Sequence, residues 1–186
     1  MTIVNRILVI PENVQVIIKE KEQKIEVSGP RGKLELKMFP EVKVVQEGNK
    51  IFTKKIDTKR NSIVRKAYAL TGTMNSLLYN ALEGVKNGHS EPLVIKGVGY
   101  KVLTKAKKLE FSLGKSHTDE LVIPEGLEVN CPDNTQIIIQ GINKEKVGQF
   151  AAQMRKLRSH RPYKLKGVYY KEEKVKLKEG KAGINK

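Results

Sequence analysis

One order of sequence patterns occurs twice in this chain, and that repetition constrains the fold more than any other feature. The run at 24–27 (Lys-Ile-Glu-Val) is echoed at 108–111 (Lys-Leu-Glu-Phe), and Pro40-Glu41 is echoed by Pro124-Glu125. The same offset separates the members of both pairs, since 108 − 24 equals 124 − 40. A constant offset across several elements indicates an internal duplication, with a coincidence of two small α+β units as the alternative.

Within the first copy, the pattern changes from strands to a helix. Residues 14–56 alternate apolar and polar side chains, with turn-forming residues at 29–32 and 47–49. This period of two predicts an antiparallel sheet with one buried face. From Ile63 to Val85 the apolar residues recur at steps of three and four, which predicts an amphipathic helix.

The second copy follows the same order. Alternating strands at 127–130 and 136–140 precede a helical pattern from about Lys144 to Arg158. The sequence therefore predicts an α+β fold of two tandem duplicated domains, each an antiparallel sheet packed on one helix, with a basic C-terminal extension. The predicted domains are 1–82 and 83–186, the second carrying a basic loop and tail.

The net charge points to a polyanionic partner. Lys and Arg number 36 against 20 Asp and Glu, which gives +16, and such a field destabilises the compact state unless a polyanion neutralises it. No stretch reaches the roughly 18 apolar residues of a membrane span, and the N-terminus has no signal-peptide pattern. The single cysteine, Cys131, suits a reducing cytosol or organelle matrix. Nucleic acid in that compartment is the expected partner, and a membrane is not.

The basic residues are concentrated near the C-terminus. The segment 154–186 holds 12 cations and 3 anions, and so contributes +9 of the total +16. Tyr163, Tyr169 and Tyr170 interleave with these cations, and phenol rings can stack on bases or donate to phosphates. The pattern predicts an RNA-contacting segment; a solvated basic surface with frayed ends is the alternative.

Sequence patterns for catalysis are incomplete throughout. Gly29–Lys33 is too short for a phosphate-binding P-loop and lacks its Ser or Thr, and Gly97-Val98-Gly99 lacks the third glycine of a dinucleotide loop. Gly29 and Gly32 enclose two residues as in one RNA-binding module, but the flanking strand patterns favour a hairpin turn. The histidines lack metal-ligand spacing: they are His89, His117 and His160. We therefore expect no enzyme activity, no metal, no cofactor and no small-molecule substrate.

Four stretches of the chain carry further sequence patterns: 161–170 (Arg-Pro-Tyr-Lys-Leu-Lys-Gly-Val-Tyr-Tyr), 81–85 with 97–100, 70–78 and 27–32. Together, and in their order along almost the whole chain, they resemble the bacterial-type large-subunit ribosomal protein six family. The run at 161–170 resembles its C-terminal signature, 81–85 with 97–100 its interdomain segment and the entry to its second domain, 70–78 its first helix and 27–32 its first hairpin.

This sequence departs from the family pattern at three places. Leu165 stands where the family usually has Gly or Ala, and 159–161 (Ser-His-Arg) where it usually has Pro-Pro-Glu. Ile7-Leu8 replaces the usual Gly-Lys pair near the N-terminus. These departures bear on the local path of the signature loop and of the N-terminal strand.

The resemblance implies a structural protein of the large ribosomal subunit that binds 23S-type ribosomal RNA near the stalk base and factor-binding region, mostly through its second domain. Neighbouring large-subunit proteins would be further partners, in a cytoplasmic or organellar ribosome. A non-ribosomal RNA chaperone or regulator is the alternative function; a nucleic-acid hydrolase would need a clustered acidic or metal site. Tyr169 could equally be a core residue. The predicted RNA-binding residues are Gly97, Gly99, Tyr100, Arg155, Lys156, Arg158, Tyr163, Lys164, Lys166, Gly167, Tyr169, Lys174, Lys176, Lys178 and Lys181.

Overall fold

The computed structural model describes residues 7–55, 61–159, 163–178 and 180. The chain forms two compact units. The first comprises Met1–Gly88 with Ile142–Lys144, and the second comprises His89–Gly141 with Glu145–Lys186. The domain boundary between residues 82 and 83 stays a prediction.

Among its described residues, the first unit contains two three-stranded antiparallel sheets and one helix. One sheet has the order β2-β3-β4 and the other the order β1-β6-β5. Its elements are β1 (Leu8–Val9), β2 (Gln15–Lys19), β3 (Lys24–Gly29), β4 (Gly32–Lys37), β5 (Val42–Glu47), β6 (Lys50–Lys55) and α1 (Asn61–Lys86).

The core of the first unit follows from the two periods in its sequence. Ile25 and Val27 alternate along β3 and are fully buried, as a period of two requires of a sheet with one covered face. Met74 and Leu78 are four residues apart on α1 and are also fully buried, because that spacing returns to one side of a helix. The two-residue turn between β3 and β4 confirms the hairpin predicted at Gly29–Gly32.

The second unit repeats this arrangement with one extra strand. Its sheets have the orders β8-β9-β10 and β11-β12-β7-β13, and every pairing is antiparallel. Its elements are β7 (His89–Lys96), β8 (Lys101–Lys105), β9 (Lys108–Ser112), β10 (Asp119–Val122), β11 (Leu127–Asp133), β12 (Gln136–Gly141), α2 (Lys144–Leu157) and β13 (Gly167–Tyr170).

Strand pairing confirms the predicted tandem duplication. The order β1-β6-β5 corresponds to β7-β12-β11, and β2-β3-β4 corresponds to β8-β9-β10. Each unit has two antiparallel sheets where the sequence predicted one, because the alternating pattern specifies a buried face but not which strands pair. Strand β13 was not predicted; it adds to β7 on the side opposite β12.

Helix α2 covers the core of the second unit. Val147, Phe150, Ala151 and Met154 recur at steps of three and four and are buried, whereas Lys146 is exposed. The predicted helix is confirmed to within one residue at its end. Burying four such side chains gives α2 a fixed orientation on its own sheet, so the cations of its last turn project from a rigid element.

Candidate nucleic-acid interface

Strand β13 brings three segments to one end of the four-stranded sheet. Gly167 lies opposite Lys96 and Tyr170 opposite Leu93, so β13 begins where β7 ends. The turn at 97–99 and the segment at 163–166 therefore emerge side by side. The end of α2 joins them, because the backbone N–H of Val168 donates to the carbonyl of Arg158 at 3.0 Å.

Five cations occur on these segments and form what we call the basic rim. Four of the five are exposed and Arg158 is half-buried, and within the described part of the chain none of them makes an ion pair. Two come from the end of α2, where the helix dipole favours positive charge. Lys96 has an aromatic neighbour instead, since its Nζ lies 5.3 Å from the centroid of the Tyr169 ring. The basic rim consists of Lys96, Lys156, Arg158, Lys164 and Lys166.

Three lysines on or beside the β8-β9-β10 sheet are, by contrast, neutralised by the protein itself. Lys105 pairs with Glu110 at 2.6 Å, Lys108 with Glu120 at 3.3 Å and Lys115 with Asp119 at 2.8 Å. The hydrogen bond to the Glu110 carboxylate raises the pKa of Lys105 above its usual range, and the charge of Glu110 adds to this effect.

The charge count along the second unit agrees with this distinction. Residues 89–141 and 145–153 together carry 7 cations and 8 anions, whereas residues 154–186 carry 12 and 3. The net positive charge of the second unit therefore comes from residues 154–186.

A second group of cations follows β13, and we call Lys174, Lys176 and Lys178 the basic tail. All three are exposed, and Val175 between the first two is half-buried. The three lysine side chains are therefore open to solvent, and Leu177 between the last two is 39% exposed. Lys181, predicted to bind RNA, lies outside the described residues.

Arg155 differs from these cations because it is engaged by the protein. Its Nη2 lies 2.5 Å from Oε1 of Glu173, and its guanidinium carbon lies 5.2 Å from the centroid of the Tyr170 ring. Side-chain exposures of 29% for Arg155 and 22% for Glu173 make this a partly buried ion pair. Direct contact between Arg155 and RNA stays a prediction.

The three tyrosines predicted to bind RNA differ in how far their side chains are buried. Tyr163 is 60% exposed and free to meet a base or phosphate, whereas Tyr169 is 1% and Tyr100 is 8% exposed. The rings of Tyr100 and Tyr169 pack in the core, the role left open for Tyr169, and contact of either residue with RNA stays a prediction. Burial raises the pKa of Tyr169; the charge of Glu173 adds to the rise, and that of Arg155 opposes it.

The glycines of the 97–99 turn serve the backbone and Tyr100. Gly97 has φ +149°, and a Cβ there would lie 2.8 Å from ring carbons of Tyr100, so glycine is required to seat that ring. Gly99 has φ +75° with open space around it. Val98 lies between the two glycines and is 92% exposed. Val98 is not among the residues predicted to bind RNA, although the flanking glycines indicate a turn that projects from the surface. Gly167 is buried at the start of β13.

Other kinds of site would need a cluster of metal ligands or a membrane-spanning helix. Among the described residues, no group of three or more His, Cys, Asp or Glu side chains is placed to hold a metal ion. None of the helices in the described ranges has the length and apolar character needed to cross a membrane.

Comparison with known proteins identifies relatives along nearly the whole chain. The sequence model of a family described as "Ribosomal protein L6" matches twice, at residues 10–88 and 96–171. The "Large ribosomal subunit protein uL6" of Latilactobacillus sakei is 42% identical over 179 residues, which is 96% of each chain. The proteins of the same name from Mesoplasma florum and Streptococcus sanguinis are 43% and 38% identical, each over 96% of this chain and over 96% and 97% of their own lengths.

Proposed function

The chain belongs to the ribosomal protein L6 family, and from that premise we propose that it is a structural component of the large ribosomal subunit that binds 23S-type ribosomal RNA through the basic rim and basic tail. The two units act as rigid supports. The RNA is held by the C-terminal segment of the second unit, and no covalent chemistry is involved.

One observation carries this proposal: the basic rim gathers five cations with no internal ion pair among the described residues, whereas three lysines of the other sheet in the same unit are paired. Unpaired like charges repel one another, and their accumulation at one place costs stability in the free protein. A phosphate backbone reverses that cost, because it neutralises the cations and releases its own counterions.

The recognition is mainly of RNA shape. The major groove of an A-form helix is too deep and narrow for side chains, so proteins contact phosphates and 2′-hydroxyls across the minor groove. Lys96 on β7 and Lys156 on α2 can meet phosphates where two RNA strands approach each other, together with Arg158, Lys164 and Lys166 on the adjoining segments. The exposed Tyr163 and the Val98 tip lie on segments of the same end and add stacking or apolar contact with unpaired bases.

The position on the ribosome follows from the family resemblance. We infer a site near the stalk base and the factor-binding region, with neighbouring large-subunit proteins as further partners, in the ribosomes of the cytoplasm or of an organelle. The relatives named above are all ribosomal proteins, which favours a structural role over catalysis.

The proposal is tested by subunit loading. Tagged wild-type protein and the variant Lys164→Glu/Lys166→Glu are expressed in cells, and the lysates are fractionated on sucrose gradients. The control, Lys43→Glu/Lys50→Glu, changes the net charge equally on exposed strand residues of the first unit. We expect the wild type and the control to migrate with large subunits in stoichiometric amounts, and the rim variant to load poorly while its circular dichroism stays unchanged.

Two results would overturn the proposal. Equal loading of the rim variant would exclude Lys164 and Lys166 as an essential contact. A wild-type protein that stays at the top of the gradient, yet binds RNA weakly and without preference for shape, would instead identify a non-ribosomal RNA chaperone.

A further inference from the structure

The basic tail is tied to helix α2 by three residues that we call the tail clamp: Arg155, Tyr170 and Glu173. We propose that Arg155 and Glu173 are positioning residues, whose ion pair fixes the direction in which the basic tail leaves the sheet. On this view Arg155 acts on RNA through the tail and touches no phosphate itself. The inference rests on the proposed RNA-binding function.

The contacts of Glu173 bind it to both the helix and the strand. One carboxylate oxygen lies 2.5 Å from Nη2 of Arg155 on α2. The other accepts from the backbone N–H of Tyr170 at 3.4 Å, and the N–H of Glu173 donates to the carbonyl of Tyr170 at 3.1 Å. One side chain thus closes a turn directly after β13 and joins that turn to α2.

The ring of Tyr170 restricts the orientation of Arg155, the other member of the ion pair. The Arg155 guanidinium lies over the Tyr170 ring, with 5.2 Å between its central carbon and the ring centroid. A guanidinium that has a cation–π contact on one side and an ion pair with a carboxylate on another is restricted in orientation. Its donors are thereby directed at Glu173, in contrast to the unpaired cations of the basic rim.

The clamp lies immediately before the cations that it would orient. The N–H of Lys171 donates to the carbonyl of Pro92 at 3.1 Å, which continues the pairing of β13 with β7 by one residue. Glu173 comes two residues later, and Lys174 is its chain neighbour. Because the turn is fixed on both sides, the basic tail leaves it in a defined direction.

A carboxylate in a segment that faces RNA would be expected to weaken RNA binding unless it has another role. A lone Glu173 would repel phosphates, so the electrostatic expectation is that its removal strengthens binding. The clamp predicts the opposite effect, a loss of RNA affinity when the Glu173 charge is removed. Neutralised by Arg155, Glu173 contributes order, and a turn that is fixed before binding avoids the entropy cost of ordering the backbone from which the three lysines extend.

Two variants of adjacent residues separate these expectations. Glu173→Gln and Glu172→Gln each raise the net charge by one, but Glu172 is exposed and makes no ion pair among the described residues. Affinity for transcribed 23S-type ribosomal RNA is measured by filter binding at one salt concentration. We expect Glu173→Gln to bind the RNA about tenfold more weakly than the wild type, because a tail that is no longer fixed must be ordered on binding. We expect Glu172→Gln to bind as tightly as the wild type or more tightly.

A charge reversal tests the pair itself. Arg155→Glu/Glu173→Arg keeps the net charge and rebuilds the ion pair with opposite polarity, so we expect its affinity to return to within about threefold of the wild type, whereas Arg155→Glu alone binds far more weakly. In addition, Arg155→Gln should leave the slope of log affinity against log salt unchanged, because a phosphate contact would make that slope shallower by about 0.7–0.9.

The outcomes for the clamp and for the proposed function are distinct. If the wild type binds the RNA, and Glu173→Gln binds as tightly as Glu172→Gln or the reversal fails to restore affinity, the clamp is wrong and the RNA-binding function stands. If the wild type itself neither binds the RNA nor loads onto large subunits, the function fails and the clamp fails with it. Thermal melts of each variant, followed by circular dichroism, establish that the fold is intact.

Discussion

Replacing two lysines of the basic rim should change the salt dependence of RNA binding by a calculable amount. The variant is Lys164→Gln/Lys166→Gln, which removes two exposed charges without adding negative ones. Each phosphate that a protein neutralises contributes about 0.7 to the slope of log affinity against log salt for single-stranded RNA and about 0.9 for a duplex. If each of these lysines neutralises one phosphate, the variant's slope is shallower by about 1.4–1.8.

That change in slope corresponds to a large change in relative affinity. Between about 50 and 200 mM salt, the wild type should lose about 7- to 12-fold more affinity than the variant. The assay is filter binding of 23S-type ribosomal RNA across this range, at constant pH and magnesium concentration. A slope is more informative here than one dissociation constant, because misfolding lowers affinity but does not by itself remove a fixed number of ion contacts.

The matched control removes the same charge from paired lysines. In Lys105→Gln/Lys108→Gln the lost ammonium groups are those that pair with Glu110 and Glu120. Both double variants lower the net charge from +16 to +14, yet we expect the control to keep the wild-type slope. Equal slopes for the two double variants would refute the distinction between paired and unpaired cations on which the interface is built.

Two further predictions concern the fold that supports the interface. Gly97→Ala should lower the free energy of unfolding by about 1–3 kcal/mol, because its φ is positive and the new Cβ meets Tyr100. Gly148→Ala, in open space on α2, should instead raise it by about 0.5–1 kcal/mol, and urea titrations giving the same sign for both would contradict this. The raised pKa of Tyr169 means that the folded state favours the protonated phenol. The stability that protonated Tyr169 contributes to the folded state is therefore fully present below the unfolded pKa of about 10, and it is lost as the pH rises through the folded pKa. The free energies of unfolding of the wild type and of Tyr169→Phe, plotted against pH, should therefore diverge above about pH 10. Parallel curves would exclude the effect.

The elements that could be predicted from the sequence are those with a clear local periodicity of apolar residues. Ile25 and Val27 show a period of two, and Met74 and Leu78 a spacing of four, and each pattern identifies its element and its buried face within a short stretch of sequence. Strand β13 escaped prediction because a short run between cations is indistinguishable, by sequence, from the rest of a basic segment. Its existence depends on β7, which lies far earlier in the chain, and such pairing leaves no local signal.

The sequence by itself determined the duplicated α+β design and the concentration of positive charge near the C-terminus, because alternation, repetition and net charge are properties of neighbouring or summed residues. Tertiary structure alone decided which cations are available. Arg155 and Lys156 are adjacent in sequence, yet one is held by Glu173 and the other is exposed without an ion pair among the described residues. It also put the Tyr169 ring in the core and left Tyr163 outside, since burial and ion pairing depend on residues brought together from distant positions in the chain.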